Sequence, residues 1–506
     1  MLILDGRSLD LEGVVRVARR AERVRLAPAA AKRVDASRAA LERLVARGSM
    51  AYGIKTGFGE LSMVEIPDPD VRKLQVNLLR SHAVGQGEPL RADEVRASIL
   101  LRANTLAMGV SGVRRVLVTR LLDLLNRGVH PQIPSRGSLG ASGDLAPLAH
   151  LGLVLIGEGR AEVRGRVLRG KDALSRAGLR PLTLQSKEGI AIINGTSVMA
   201  GVGGLAIHDA SWLLADAQVA ASMSFEALRG SPKPFDDRVI GLKPQAGARE
   251  TARNLRRLLR RSEIVPSHRG PHKVQDPYTL RCIPQVLGAC RAAVDQAAEV
   301  LRIEMNSATD NPLVFPDGRT LIGGNFHGQA LAMALDHVAL AMAVLAGFTE
   351  RRIARLVDTR LSDLPPFLTK KSGLNSGLMI VQYVAAGYAS DNKVLAHPAS
   401  ADSIPTSANQ EDWVPMGMSA ALKARQAIEN ARRVVAMEYL SAAQGLEFLA
   451  PLRPGLGPRA AHAAIREGVA PLADDRSLAE DVEWILRSMA EGTIVSVAEA
   501  AAGRLA

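Results

Sequence analysis

The sequence predicts an all-α fold, a long central helical bundle with a mixed, loop-rich N-terminal domain, on three observations. Aromatic residues make up only 3% of the 506 residues while hydrophobic residues reach 47%, so the interior is mainly Leu, Ala and Val. Sheets favour aromatic and β-branched residues, whereas Ala and Leu are strong helix formers. Ala-rich runs of helical character occupy about 197–228, 284–308, 327–357, 373–395 and 416–448, most of them 25 residues or more. Helices of that length pack into a bundle roughly 40 Å long. Finally, residues 1–200 are broken by Gly and Pro into shorter patterns, which sets a soft boundary between residues 1–200 and 201–506.

Leu11–Glu22 and Ala36–Arg47 read as short amphipathic helices, the second with Asp35 as N-cap. The Gly-punctuated residues 52–66 read as an ordered loop. Helical patterns follow at Ala92–Met108 and Gly112–Leu125, the latter stopped by Gly128 and Pro131. Residues 137–159 open as a glycine loop and become an apolar helix, and a hairpin fits Arg160–Arg169 around Gly165. A Pro/Gly/His loop spans Ser262–Pro277, and residues 451–506 form a compact terminal cap.

The net charge of +13 raises the question of a nucleic-acid partner. The densest basic cluster, Arg253, Arg256, Arg257, Arg260 and Arg261, lies on one helix face with Leu255, Leu258 and Leu259 on another. It lacks the interleaved aromatics that stack bases, so it reads as a solvated face and no nucleic-acid partner is expected. Cys282 and Cys290 are eight residues apart. On one helix they would be ~12 Å apart, too far for a disulfide, and a reducing, cytoplasmic setting is expected. No basic segment followed by an apolar run marks a signal peptide at Met1–Arg7. Gly189–Ile207 is the nearest approach to a membrane span, but its five glycines and Asn194 favour a buried segment. No membrane partner is expected. His268 and His272 flank a Gly-Pro pair that forbids one helix presenting both, and no metal site is expected.

Ala141-Ser142-Gly143 is, by itself, a tight turn with Asp144 as N-cap of the next helix. The same tripeptide has a chemical reading. The side-chain-free Gly143 lets its amide nitrogen close on the Ala141 carbonyl carbon. Loss of water from that ring and from the Ser142 hydroxyl would leave a methylidene electrophile.

The stretch GSLGASGDLAPLAH (137–150) closely resembles the histidine/phenylalanine ammonia-lyase family, whose Ala-Ser-Gly triad cyclises into 4-methylideneimidazol-5-one. The resemblance spans roughly 45 to 450. It repeats, in the family's order, at YGIKTGFG (52–59), LLRSHAVGQGEPL (78–90), INGTSVM (193–199), QDPYTLRC (275–282), GGNFHGQ (323–329) and TSANQED (406–412). The Gly-Ser-Ser and Lys-Asn-Pro signature of the architecturally related fumarase/aspartase lineage is absent.

The resemblance implies a fumarase/aspartase-like bundle, with the prosthetic group carried by the N-terminal domain. It implies a group made autocatalytically from Ala141-Ser142-Gly143, with no external cofactor. Tyr52 matches the family's catalytic base, and Tyr278 and Glu411 complete the catalytic set. Arg281 would hold the substrate carboxylate in a bidentate fork, and Asn194 would donate to the same carboxylate or to the oxygen of the cyclised ring. Gln275, Phe326 and Asp144 would support the prosthetic group. Ser81-His82 and Glu411 suit an imidazole ring, so the expected reaction is non-oxidative deamination of L-histidine to trans-urocanate and ammonia. The alternative is a tyrosine or phenylalanine ammonia-lyase, or an aromatic 2,3-aminomutase, on the same scaffold. Trp413, Pro415 and Ile283 stand where His, Ser and Gln are common in the family, which bears on substrate more than on chemistry. A homotetramer with sites shared between subunits is also implied.

Overall fold

Why the chain is helical is visible in Ala92–Ala107, where every residue from Glu94 to Ala107 is buried. A helix buried on all faces forms the centre of its unit rather than its surface. This computed structural model describes residues 1–47, 56, 64, 66–268 and 274–505. Its long helices run over Ser197–Ala227, Ile283–Glu304, Gln329–Val357, Met379–Leu395 and Gly417–Glu447, and the fold is all-α with small accessory strands. The chain forms two compact units, neither of them continuous in sequence.

The first unit comprises Met1–His208, Ala297–Asp336 and Pro398–Leu422. Ala92–Ala107 packs against Leu11–Arg19 and Arg115–Asn126. Two of the buried polar side chains on this central helix are tied to backbone: Arg96 donates to the carbonyls of Val17 and Leu125, and Asn104 to that of Met305. Strands Leu2–Leu4 and Val24–Leu26 pair in parallel, Leu2 opposite Val24. Val129–Pro131, Arg160–Val163 and Arg166–Arg169 form an antiparallel sheet, with the expected hairpin turning through Arg164 and Gly165 at positive φ. Lys187 and Asp310, both fully buried, pair at 2.8 Å.

The second unit comprises Asp209–Gln296, His337–His397 and Lys423–Ala506. Its interior holds a fully buried fork, Arg352 to Glu438 at 2.5 and 2.7 Å, with Ser224 Oγ donating to the same carboxylate. Such a pair costs desolvation, and the bidentate geometry and added donor offset it. Helices Leu456–Arg466, Ala479–Glu491 and Thr493–Ala502 make up the terminal piece. In the basic helix Ala246–Leu258, Arg256 bonds Asp237 and the Phe235 carbonyl. Arg257 in its last turn and Arg260 just beyond it donate to the carbonyls of Arg504 and Ala502. Both cysteines are free thiols.

The structure corrects two local expectations. Asp35 is not an N-cap: its helix starts at Pro28, whose missing N–H needs no partner there, and Asp35 pairs with Arg115 instead. The run expected from 373 becomes helical only at Met379, because Ser376 and Gly377 point their N–H groups at Asp475. Gly189–Ile207 is buried throughout, as expected, and is broken in two: one helix ends at Ile193, and Asn194–Thr196 bends the chain before Ser197. By length and composition, Ser197–Ala227 and Gln329–Val357 are apolar enough to cross a membrane. Yet the first buries Asp216, Gln218 and Glu226 within protein, which lipid would penalise.

Candidate active site

The site is built around two glycines in the first unit. Gly143 (φ +80°) follows the Ala141-Ser142 turn, and Gly195 (φ +138°) sits in the bend between two helices. The two segments form a parallel bridge at Gly143 and Gly195. A side chain at either position would adopt a backbone conformation that L-residues rarely take. The close approach brings donors onto Ser142: Asn194 Nδ2 reaches the Ser142 carbonyl at 2.7 Å and the Gly195 amide at 3.3 Å. In return the Asp144 amide donates to the Gly195 carbonyl at 2.8 Å. Asn194 is buried, and its Oδ1 has no hydrogen-bond partner among the described residues. Ala141 packs against Val414, Met416 and Leu139.

Asp144 occupies the N-cap position of Leu145–Leu155, as expected, but its side chain does not cap that helix. It accepts from the Val198 and Met199 amides at 2.7 and 2.9 Å, capping Ser197–Ala227 instead, and from Ser138 Oγ at 2.8 Å. The reason is geometric: the Gly143–Gly195 bridge brings the first turn of the later helix to the carboxylate. Burial pushes the Asp144 carboxyl up to about 6, against the pull of those three donors and with a further push from Glu304.

Glu411 approaches from a different segment. Its Oε1 accepts from Ser142 Oγ at 3.0 Å, and an antiparallel bridge to Thr406 fixes its backbone. Between them Ser407, Ala408 and Asn409 all hold positive φ, a strained loop of the kind found at ligand sites. His82 closes the helix Val71–His82, half-buried, with the exposed Ser81 beside it. Ser81 Oγ donates to the Leu78 carbonyl at 3.1 Å and lies 3.0 Å from His82 Nδ1. With the Ser81 hydroxyl donating to Leu78, a proton on His82 Nδ1 would satisfy both groups and leave Nε2 as an acceptor. Burial lowers the His82 pKa, while the Leu78 carbonyl and the Glu411 charge pull it partly back.

Phe326 is half-buried in the Gly-rich turn whose Gly328 amide donates to the Gly140 carbonyl at 3.1 Å, beside the Ala-Ser-Gly turn. From the same turn His327 Nε2 reaches the Trp413 carbonyl at 3.2 Å, and Gln329 accepts from the Trp413 indole at 3.1 Å. Gln275, Tyr278 and Arg281 belong to the second unit and cluster there. Arg281 donates to Gln275 Oε1 at 2.6 Å and lies 4.6 Å from the Tyr278 ring centre. Tyr278 is 69% exposed. Tyr52 lies outside the described residues, as does His272. Among the described residues no group of three or more His, Cys, Asp or Glu is placed to hold a metal.

The structure also brings in residues that were not anticipated. Arg102, fully buried, donates to the Asn194 carbonyl at 2.5 Å, and Glu304 accepts from Thr196. The signal for Arg102 was present, an arginine inside the apolar run SILLRANTLA (98–107), but a lone arginine there does not say what it faces.

A model of aromatic amino acid lyases matches residues 9–467. The chain belongs to the aromatic amino acid lyase family. This lyase-family chain is 54% identical over 501 residues to a histidine ammonia-lyase of Symbiobacterium thermophilum, covering 99% of both. Among solved structures it resembles a histidine ammonia-lyase from Trypanosoma cruzi at 38% identity, TM-score 0.92, covering 99% of this chain and 95% of that one. It equally resembles a tyrosine aminomutase from Streptomyces globisporus at 36% identity and TM-score 0.95, covering 100% of both.

Proposed function

We propose that this protein deaminates L-histidine non-oxidatively to trans-urocanate and ammonia. The observation that carries the reading is the Ser142 residue itself, its carbonyl met by Asn194 Nδ2 and the Gly195 amide and its hydroxyl by Glu411. A 4-methylideneimidazol-5-one formed from Ala141-Ser142-Gly143 would fit this arrangement, because two donors already address the carbonyl that the ring would retain. Asn194 and Gly195 would hold the group, with Asp144 and Phe326 behind it. When formed, it supplies a carbon electrophile that activates the substrate for loss of ammonia.

The chain's own residues do the rest. Arg281 grips the substrate carboxylate in a fork, and Gln275 and Tyr278 keep its guanidinium in place. His82 Nε2 accepts from the imidazole N–H, and Glu411 favours a donor or protonated ring. Tyr52 Oη takes the β-proton, and ammonia leaves with the C–N pair as the Cα=Cβ bond forms. A histidine ammonia-lyase from Symbiobacterium thermophilum at 54% identity supports histidine as substrate.

A homotetramer with sites combined from several subunits belongs to the same reading. Met333, Leu340 and Val344 on Gln329–Val357 are 59%, 48% and 46% exposed, apolar surface of the sort that association covers. Two free thiols accord with a reducing cytoplasm.

The second reading, a tyrosine 2,3-aminomutase, draws on the TM-score of 0.95 to the Streptomyces globisporus structure. A turnover panel of histidine, tyrosine, phenylalanine and their β-isomers, followed by product ultraviolet absorbance, separates the two. Histidine is expected to turn over fastest, with no β-amino acid product. Preferred turnover of tyrosine would reverse the assignment.

A further inference from the structure

Arg102 is, with Arg352, one of two arginines fully buried among the described residues, and it points at the bend that holds Ser142. Its Nη1 donates to the Asn194 carbonyl at 2.5 Å. The amide on the other side of that same peptide, Gly195 N–H, donates to the Ser142 carbonyl at 3.3 Å. In a trans peptide C=O and N–H point in opposite directions, so a bond that fixes one fixes the aim of the other. A Cβ on Gly195 would lie 2.6 Å from both Arg102 Nη1 and Thr309 Oγ1, so these groups close directly on the Gly195 backbone. The Asn194 side chain, the second donor to the Ser142 carbonyl at 2.7 Å, hangs from the residue that Arg102 grips.

We infer that Arg102 is a positioning residue for the Ser142 carbonyl, acting through the Asn194–Gly195 peptide to orient and polarise both of its donors. The inference rests on the reading that the Ala141-Ser142-Gly143 turn carries the electrophilic ring. Burial draws the guanidinium down to about 10, and Asp310 and Asp144 pull the other way, so it is a cation at neutral pH. Hydrogen bonds in series polarise one another by roughly 10–30% each, and more where the first donor is charged. A carbonyl conjugated to the methylidene and held by such donors withdraws electrons from it. Arg102 would thereby raise the electrophilicity of a carbon it never touches.

The test uses full-length wild type, Arg102→Met and Arg102→Lys. Four quantities are read on each: intact mass, near-ultraviolet absorbance of the ring, and kcat and KM for histidine. For Arg102→Met the expected result is a ring that forms incompletely or absorbs at a shifted wavelength, with kcat lowered. Loss of an oxyanion donor itself costs about 10²–10³-fold, so an indirect effect of about 10-fold or more is expected, with KM nearly unchanged. Arg102→Lys, which keeps the charge, is expected to recover much of the lost kcat. If Arg102→Met does not fold, Arg102→Lys alone decides, because its shorter, forkless side chain should still shift the absorbance. Unchanged absorbance and kcat in a folded variant would overturn the role of Arg102. A wild-type chain at full sequence mass would instead overturn the ring itself, so the two failures are distinguishable.

Discussion

A Cβ on Gly143 would fall 2.2 Å from the carbonyl oxygen of Gly195, so the two glycines meet backbone to backbone. The contact joins a turn to a helix bend some fifty residues further along the chain, and it sets the hydrogen bonds of Ser142 and Asp144. Purified protein is therefore expected to weigh two water molecules less than its sequence, by intact mass spectrometry. Ser142→Ala should restore most or all of that mass. Gly143→Ala should also restore mass, because a left-handed alanine costs about 1–3 kcal/mol and the bridge cannot close. A two-water deficit that persists in Gly143→Ala would show that ring formation does not need this approach.

Tyr52→Phe keeps the ring's size and removes one hydroxyl. If Tyr52 is the base, turnover of histidine should drop by ~10²–10⁴ while the mass deficit stays. Activity and mass deficit lost together would make Tyr52 a structural residue.

Substrate choice should follow His82 and Glu411. His82→Leu leaves the imidazole unpaired on that side at a cost of ~1–3 kcal/mol, so histidine turnover should fall roughly 10–100-fold. A phenol or phenyl ring gains an apolar wall, so the ratio of histidine to tyrosine kcat/KM should fall. Glu411→Gln should move it the same way. If Trp413, tied to Gln329 and His327, governs the pocket instead, the ratio will hold in both variants.

Stability should depend on pH through Asp216, which is buried against the Tyr439 hydroxyl. Burial raises its carboxyl from 3.8 to about 7, offset in part by Tyr439 and Arg432. A raised acid favours the folded state when protonated, so its contribution is complete below the unfolded value and is lost as pH climbs to about 7. Asp216→Asn does not titrate. Its melting temperature relative to wild type should therefore be higher at about pH 8 than at about pH 4. A gap independent of pH would place the titration elsewhere.

The helices were legible because their signals are local. Ala- and Leu-rich periodicity marked Ser197–Ala227 and Gly417–Glu447 to within a residue or two, and the Gly165 hairpin followed from its turn residue. The start of the second helix is misread from the sequence for the opposite reason. Asp35 looks like a cap in isolation, but Pro28 begins the helix seven residues earlier and packing carries it on.

What the sequence by itself determined is the list of parts: the helical class, the Ala141-Ser142-Gly143 turn and the motifs that mark the family. Which parts meet was decided by the tertiary structure. Asp144 caps Ser197–Ala227 rather than the helix it precedes, since its bonds reach Val198 and Met199 across the Gly143–Gly195 bridge. Glu411 meets Ser142 across 269 residues, and Arg102 meets Asn194 across 92. No periodicity encodes such pairings. Helix propensity acts over three or four neighbours, whereas these contacts exist only once whole helices have packed and two backbones without side chains have been allowed to touch.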